Sequence, residues 1–64
     1  MGPTKKLFEV TCESADENIP VIRSNVIAVD FNEAMKKGLE RGTQIGGAGT
    51  QLIKVEYQCA IDVE

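Results

Sequence analysis

Gln51 to Val63 reads QLIKVEYQCAIDV. Every second residue of this stretch is apolar: Ile53, Val55, Tyr57, Cys59, Ile61 and Val63. The intervening set, Leu52, Lys54, Glu56, Gln58, Ala60 and Asp62, is mostly polar. Side chains on a strand alternate between faces, so the pattern predicts a long strand over 51–63 with one dry and one wet side. Any fold for this chain has to cover the dry row.

The element best suited to cover it lies upstream, in Asp30 to Arg41, DFNEAMKKGLER. Asp30 is a good N-cap, and Glu33 three residues later completes a capping-box-like pair. Phe31, Ala34, Met35, Gly38 and Leu39 recur at helical spacing on one side, and Lys36, Lys37, Glu40 and Arg41 take the other. A helix over 31–41 follows, with Gly42 as its C-cap glycine and Arg41 suiting the negative end of its dipole. Gly38 costs about 1 kcal/mol of helix propensity, which suggests a close approach to the sheet.

Two further strands precede the helix. Lys5 to Cys12 alternates, with Phe8, Val10 and Cys12 facing in and Leu7, Glu9 and Thr11 on the other face. Val21 to Val29, VIRSNVIAV, has a polar first half, as an edge strand would, and a second half apolar on both faces. Ile22, Val26 and Ala28 are favoured as inward, although a run apolar on both sides does not fix its own facing. Residues 1–4 form a loose terminus. Between the strands, 13–20 is a polar break closed by Pro20, read as a solvated turn. Its acidic and amide groups lack the glycine and bidentate glutamate of a calcium loop. The Gly-rich stretch 42–50 lacks the lysine and following helix of a phosphate-binding loop, and reads as a flexible connector.

The order is thus strand, strand, helix, strand in a single domain of 64 residues. The short first break makes a hairpin, and the helix returns the chain by a crossover. The expected architecture is α+β: a β-β-α-β chain with a three-stranded antiparallel sheet, order 2-1-3, and one helix on one face. The last strand is expected to outrun the central one and leave a free edge.

Composition bounds the chemistry. Net charge is −3 with both signs dispersed, which disfavours non-specific nucleic-acid binding. There is no histidine for acid–base work near neutrality, and no base stands beside either cysteine to activate it. Metal and cofactor sites are not expected, since two distant cysteines without histidine do not match zinc spacings. Cys12 and Cys59 could pair across neighbouring strands, but buried free thiols are the favoured reading. No signal-like or membrane-length apolar run occurs, so a soluble, cytoplasmic chain is expected. Catalysis is therefore not expected.

The remaining class is a small non-enzymatic protein-binding module. Its contacts are expected from the uncovered sheet face and the loops, with Leu7, Glu9, Arg23, Lys54 and Glu56 as the partner-binding residues. The 51–63 edge offers a route to a homodimer or to strand addition by another protein. Two alternatives stand beside this: a nucleic-acid-binding accessory protein using the open sheet face, and a homodimeric structural subunit. With Phe8, Phe31 and Tyr57 all assigned to the core, the stacking platform that a single-strand binder needs is missing.

The pattern of two strands, then VIAVDFNEAMKKG, then one strand resembles compact β-β-α-β proteins encoded by bacteriophages. Some of those bind and block host machinery, including CRISPR surveillance complexes. The resemblance lies in the order of elements and carries over no individual site residue. It implies inhibition by occupying the surface of a host protein.

Overall fold

The computed structural model describes residues 4–61. The four elements are β1 (Lys5–Glu13), β2 (Ile22–Ala28), α1 (Phe31–Gly46) and β3 (Gln51–Ile61). The strands form one antiparallel sheet in the order β2-β1-β3, with α1 on one face, a small α+β fold of the expected topology. The predicted continuation of the last strand through Asp62 and Val63 lies outside the described residues.

β1 is the central strand, and its inward row is apolar from Phe8 to Cys12. Phe8, Val10 and Cys12 are almost wholly buried and stand opposite Val26, Ser24 and Ile22 of β2. Ala28 and, from the helix, Ala34 complete this core. The facing favoured for β2 holds: Ile22, Val26 and Ala28 point in, while Arg23, Asn25 and Ile27 are exposed. The turn after β1 closes on side-chain acceptors, with Asn18 N donating to Asp16 Oδ1 at 2.9 Å and Asp16 N to Ser14 Oγ at 3.0 Å. This is the local chemistry that makes Asp and Ser turn formers.

The helix starts as its sequence dictates. Glu33 N donates to Asp30 Oδ1 at 2.8 Å, and Glu33 Oε1 reaches back to accept from Val29 N at 2.8 Å. It does not end where expected. Gly42 lies inside α1, which runs on to Gly46 and is capped by Gly47 at φ 81°, whose N–H donates to Thr43 O. The connector to β3 is therefore only residues 47–50, and the last helical turn carries no base.

The reason is packing. Ala34, Gly38, Gly42 and Gly46 recur every fourth residue and form the buried stripe of the helix. A Cβ on Gly42 would sit 2.8 Å from Cys12 Sγ, and one on Gly46 would sit 2.9 Å from Ile22 Cδ1. The helix backbone thus rests directly on β1 and β2. Ser14 Oγ donates to Gly46 O at 2.8 Å and ties the far end of the helix to the hairpin.

Such close seating has a lateral cost. A helix about 10–12 Å wide spans roughly two strands set about 4.8 Å apart. α1 lies mainly over β2 and β1, and β3 is left partly bare. Phe31, Met35 and Leu39, expected to pack on the sheet, stand at the flank of the helix and are 52%, 38% and 38% exposed.

β3 departs most from expectation. Its eleven residues pair with the nine of β1 because irregularities opposite Thr11/Cys12 and Leu7/Phe8 each absorb one extra residue, Ile53 and Gln58. Within the described residues the strand therefore does not outrun its neighbour. Each bulge also switches the parity of the side chains. Leu52, Val55 and Tyr57 stand opposite Cys12, Val10 and Phe8 on the helix side, and Cys59 stands opposite Leu7 on the other. The unbroken dry row is broken twice. Ile53, Tyr57 and Cys59 are exposed rather than buried, so neither Tyr57 nor Phe31 belongs to the closed core.

Candidate functional site

Two surfaces follow from this arrangement. The first is the sheet face away from the helix. It carries three cross-strand rows: Arg23–Thr11–Lys54, Asn25–Glu9–Glu56 and Ile27–Leu7–Cys59. Leu7, Glu9, Arg23, Lys54 and Glu56 therefore share one face. Lys54 Nζ lies 3.4 Å from Glu56 Oε2 along the same strand. Glu9 and Glu56 stand directly opposite each other, an arrangement of like charges that costs stability. Both side chains of the Lys54–Glu56 pair are about half exposed, so in isolation it adds little.

The second surface is the strip left bare by the small-residue seating of the helix. Phe31, Met35 and Leu39 line its helical side, and Leu52, Val55 and Tyr57 its strand side. Met35, Leu39 and Leu52 bound a shallow apolar groove within it. Phe8 anchors the strip from below: its ring meets Phe31 edge-on at 4.9 Å and Tyr57 at 5.9 Å. Beside the strip runs the outer edge of β3, which has no strand neighbour among the described residues and no proline. The other edge strand, β2, is bridged to the helix, where Lys37 Nζ donates to Ile27 O at 2.8 Å. Sequence reasoning missed this strip because helical spacing assigned its large residues to the sheet. The repeat of small residues from Ala34 to Gly46 is the signal that displaces them.

No known family model, curated protein or solved structure matches this chain.

The thiols differ. Cys12 is buried with Sγ 3.7 Å from Gly38 O, and burial pushes its thiol up from the ordinary value. Cys59 is exposed on the open sheet face, not inward as expected. The two stand on opposite faces of the sheet, and both are free. A thiol reagent at neutral pH is expected to label Cys59 and spare Cys12 in the folded chain, read by peptide mass mapping. Equal labelling of both would contradict the burial of Cys12 under the helix. Among the described residues no cluster of three or more His, Cys, Asp or Glu is placed to hold a metal, and no helix is long and apolar enough to cross a membrane.

Proposed function

We propose that this chain is a small, non-enzymatic protein-binding module of the cytoplasm. The observation that carries the reading is the apolar strip, running from Phe31 to Tyr57 beside an unpaired strand edge. Contiguous apolar surface rimmed by polar groups marks an interaction site, and an unpaired edge adds a row of backbone donors and acceptors. Both features are met by another polypeptide. The open face, with Leu7, Glu9, Arg23, Lys54 and Glu56, supplies charged contacts that discriminate between partners. The resemblance to phage-encoded proteins extends the reading to inhibition of a host protein by occupying its surface. Phe31 and Tyr57, although half exposed, lie in the apolar strip and not on the open face, where Glu9 and Glu56 would repel phosphates.

The test is a tagged pull-down from bacterial lysate, with and without nuclease, using the original chain and a Met35→Glu/Leu39→Lys variant. The substitutions place a favourable Glu–Lys pair four residues apart on the helix while making the strip polar. The expected result is a stoichiometric protein band that survives nuclease and is lost with the variant, whose circular dichroism is unchanged. A band retained by the folded variant would remove the strip from the interface. Loss of every band on nuclease treatment would favour nucleic acid instead.

A further inference from the structure

We infer that the polypeptide covering the β3 edge is a second copy of this chain, paired antiparallel about a two-fold axis at Val55. The inference rests on the protein-binding reading above and names the occupant of the strand edge beside its strip. It follows from the order of charges along β3. In a two-fold strand pair that keeps both helices on one side, residues facing each other must share a face, so the axis has to pass through a residue position. Centred on Val55, the pairing sets Lys54 opposite Glu56 of the second copy, and Glu56 opposite its Lys54. On the helix side, Val55 meets Val55. Centred on Lys54 or on Glu56, it sets identical charges against each other, which is unfavourable. Of the three registers, only the central one is electrostatically self-complementary.

The monomer supplies a second reason. Glu56 already faces Glu9 across the β1–β3 pair, and among the described residues it pairs with Lys54 of its own strand, 3.4 Å away. A second copy brings another lysine to the vacant side of Glu56. The two Lys54 and two Glu56 side chains then alternate in sign around the axis. The stretch involved, Lys54 to Tyr57, is the regular part of β3 between its two irregularities, so ordinary ladder pairing is open to it.

The apolar strip lies on the correct side. The pairing yields a continuous six-stranded sheet, β2-β1-β3 followed by its mirror order, with both helices on one face. Phe31, Met35 and Leu39 of each copy then flank a shared trough floored by Leu52, Val55 and Tyr57 of both. The open faces fuse into one platform that presents the row of Arg23, Thr11 and Lys54 twice.

The charges allow a test in which the fold and the pairing are read separately. Lys54→Glu and Glu56→Lys are made singly and together in the full chain, and association is followed by sedimentation velocity from about 5 µM to about 500 µM, spanning micromolar affinities. The original chain is expected to be a dimer. Each single variant, confirmed as folded by circular dichroism, is expected to dimerise on the order of tenfold more weakly or worse, because two attractive pairs become two repulsive ones. An equimolar mixture of the two single variants is expected to form a heterodimer, since acidic strand then faces basic strand. The doubly substituted chain keeps every opposite pair and is expected to dimerise like the original. A chain that is monomeric throughout the range overturns the second copy, while the protein-binding reading is judged separately by whether Met35→Glu/Leu39→Lys abolishes capture. A dimer indifferent to all of these charges overturns the pairing about Val55.

Discussion

Replacing Phe8 with alanine is expected to leave most of the chain unfolded. Phe8 is 1% exposed in the central strand, flanked by Val26 on one side and Tyr57 on the other, with Phe31 above it. Truncating a buried phenylalanine costs about 3–5 kcal/mol, the lost transfer energy plus the cavity left behind. At about 0.05–0.15 kcal/mol per residue, a domain of this length holds on the order of 3–10 kcal/mol in total. The substitution therefore consumes much or all of the margin. A loss of about 1 kcal/mol lowers Tm by about 4–8 °C in domains of this size. Thermal melts at one fixed protein concentration should show a drop of about 12 °C or more, or no cooperative transition. The concentration is fixed because self-association would couple to folding. Phe31→Ala is the control: its ring packs on Phe8 itself but is half exposed, so its effect should be clearly smaller. Near-equal melts for Phe8→Ala and the original chain would mean that β1 faces the other way.

That prediction rests on the part of the fold most legible in the sequence. β1 is short and regular, so Phe8, Val10 and Cys12 follow directly from the period of two, whereas the second half of β2 is apolar on both faces and its facing, with Ile22, Val26 and Ala28 inward, is fixed only by pairing with β1. β3 shows the same alternation over a longer stretch, and there it misleads. A bulge is a backbone event that inserts one residue on one strand, and nothing in the apolar pattern marks it. Two of them move Cys59 to the open face and lift Ile53 out of the core. The five open-face residues still come together because Leu7 and Glu9 sit on β1, Arg23 on β2, and Lys54 and Glu56 between the bulges. The apolar strip was hidden for a different reason. Helical spacing distinguishes a face but not which part of it touches the sheet. Large side chains and a small-residue stripe compete for that contact, and here the stripe wins.

Gly38→Ala tests which of two opposing effects governs that contact. On propensity alone, alanine in a helix is favoured over glycine by about 1 kcal/mol, so the substitution would stabilise an open helix. In this chain the new methyl would collide with Val10 Cγ1 and lie 2.5 Å from both Val10 Cβ and Cγ2. Val10 is fully buried in the central strand, and its Cβ is fixed to the β1 backbone, so no rotamer change relieves the contact. The helix has to lift by about 1 Å to reach ordinary separation, loosening the seating of Ala34 and Gly42 as it does. Overpacking of a close-packed core costs about 1–3 kcal/mol and occasionally more. The contact here is severe enough to sit at the upper end, and the net expectation is a loss of about 2 kcal/mol. That corresponds to a Tm lower by about 8–16 °C. A Gly38→Ala chain with a raised Tm would show that the helix rides higher than its glycine stripe allows. Phe31, Met35 and Leu39 would then have room to turn beneath it, and the strip proposed to bind a partner would close on itself. The bare apolar strip and the low seating of the helix therefore stand or fall together.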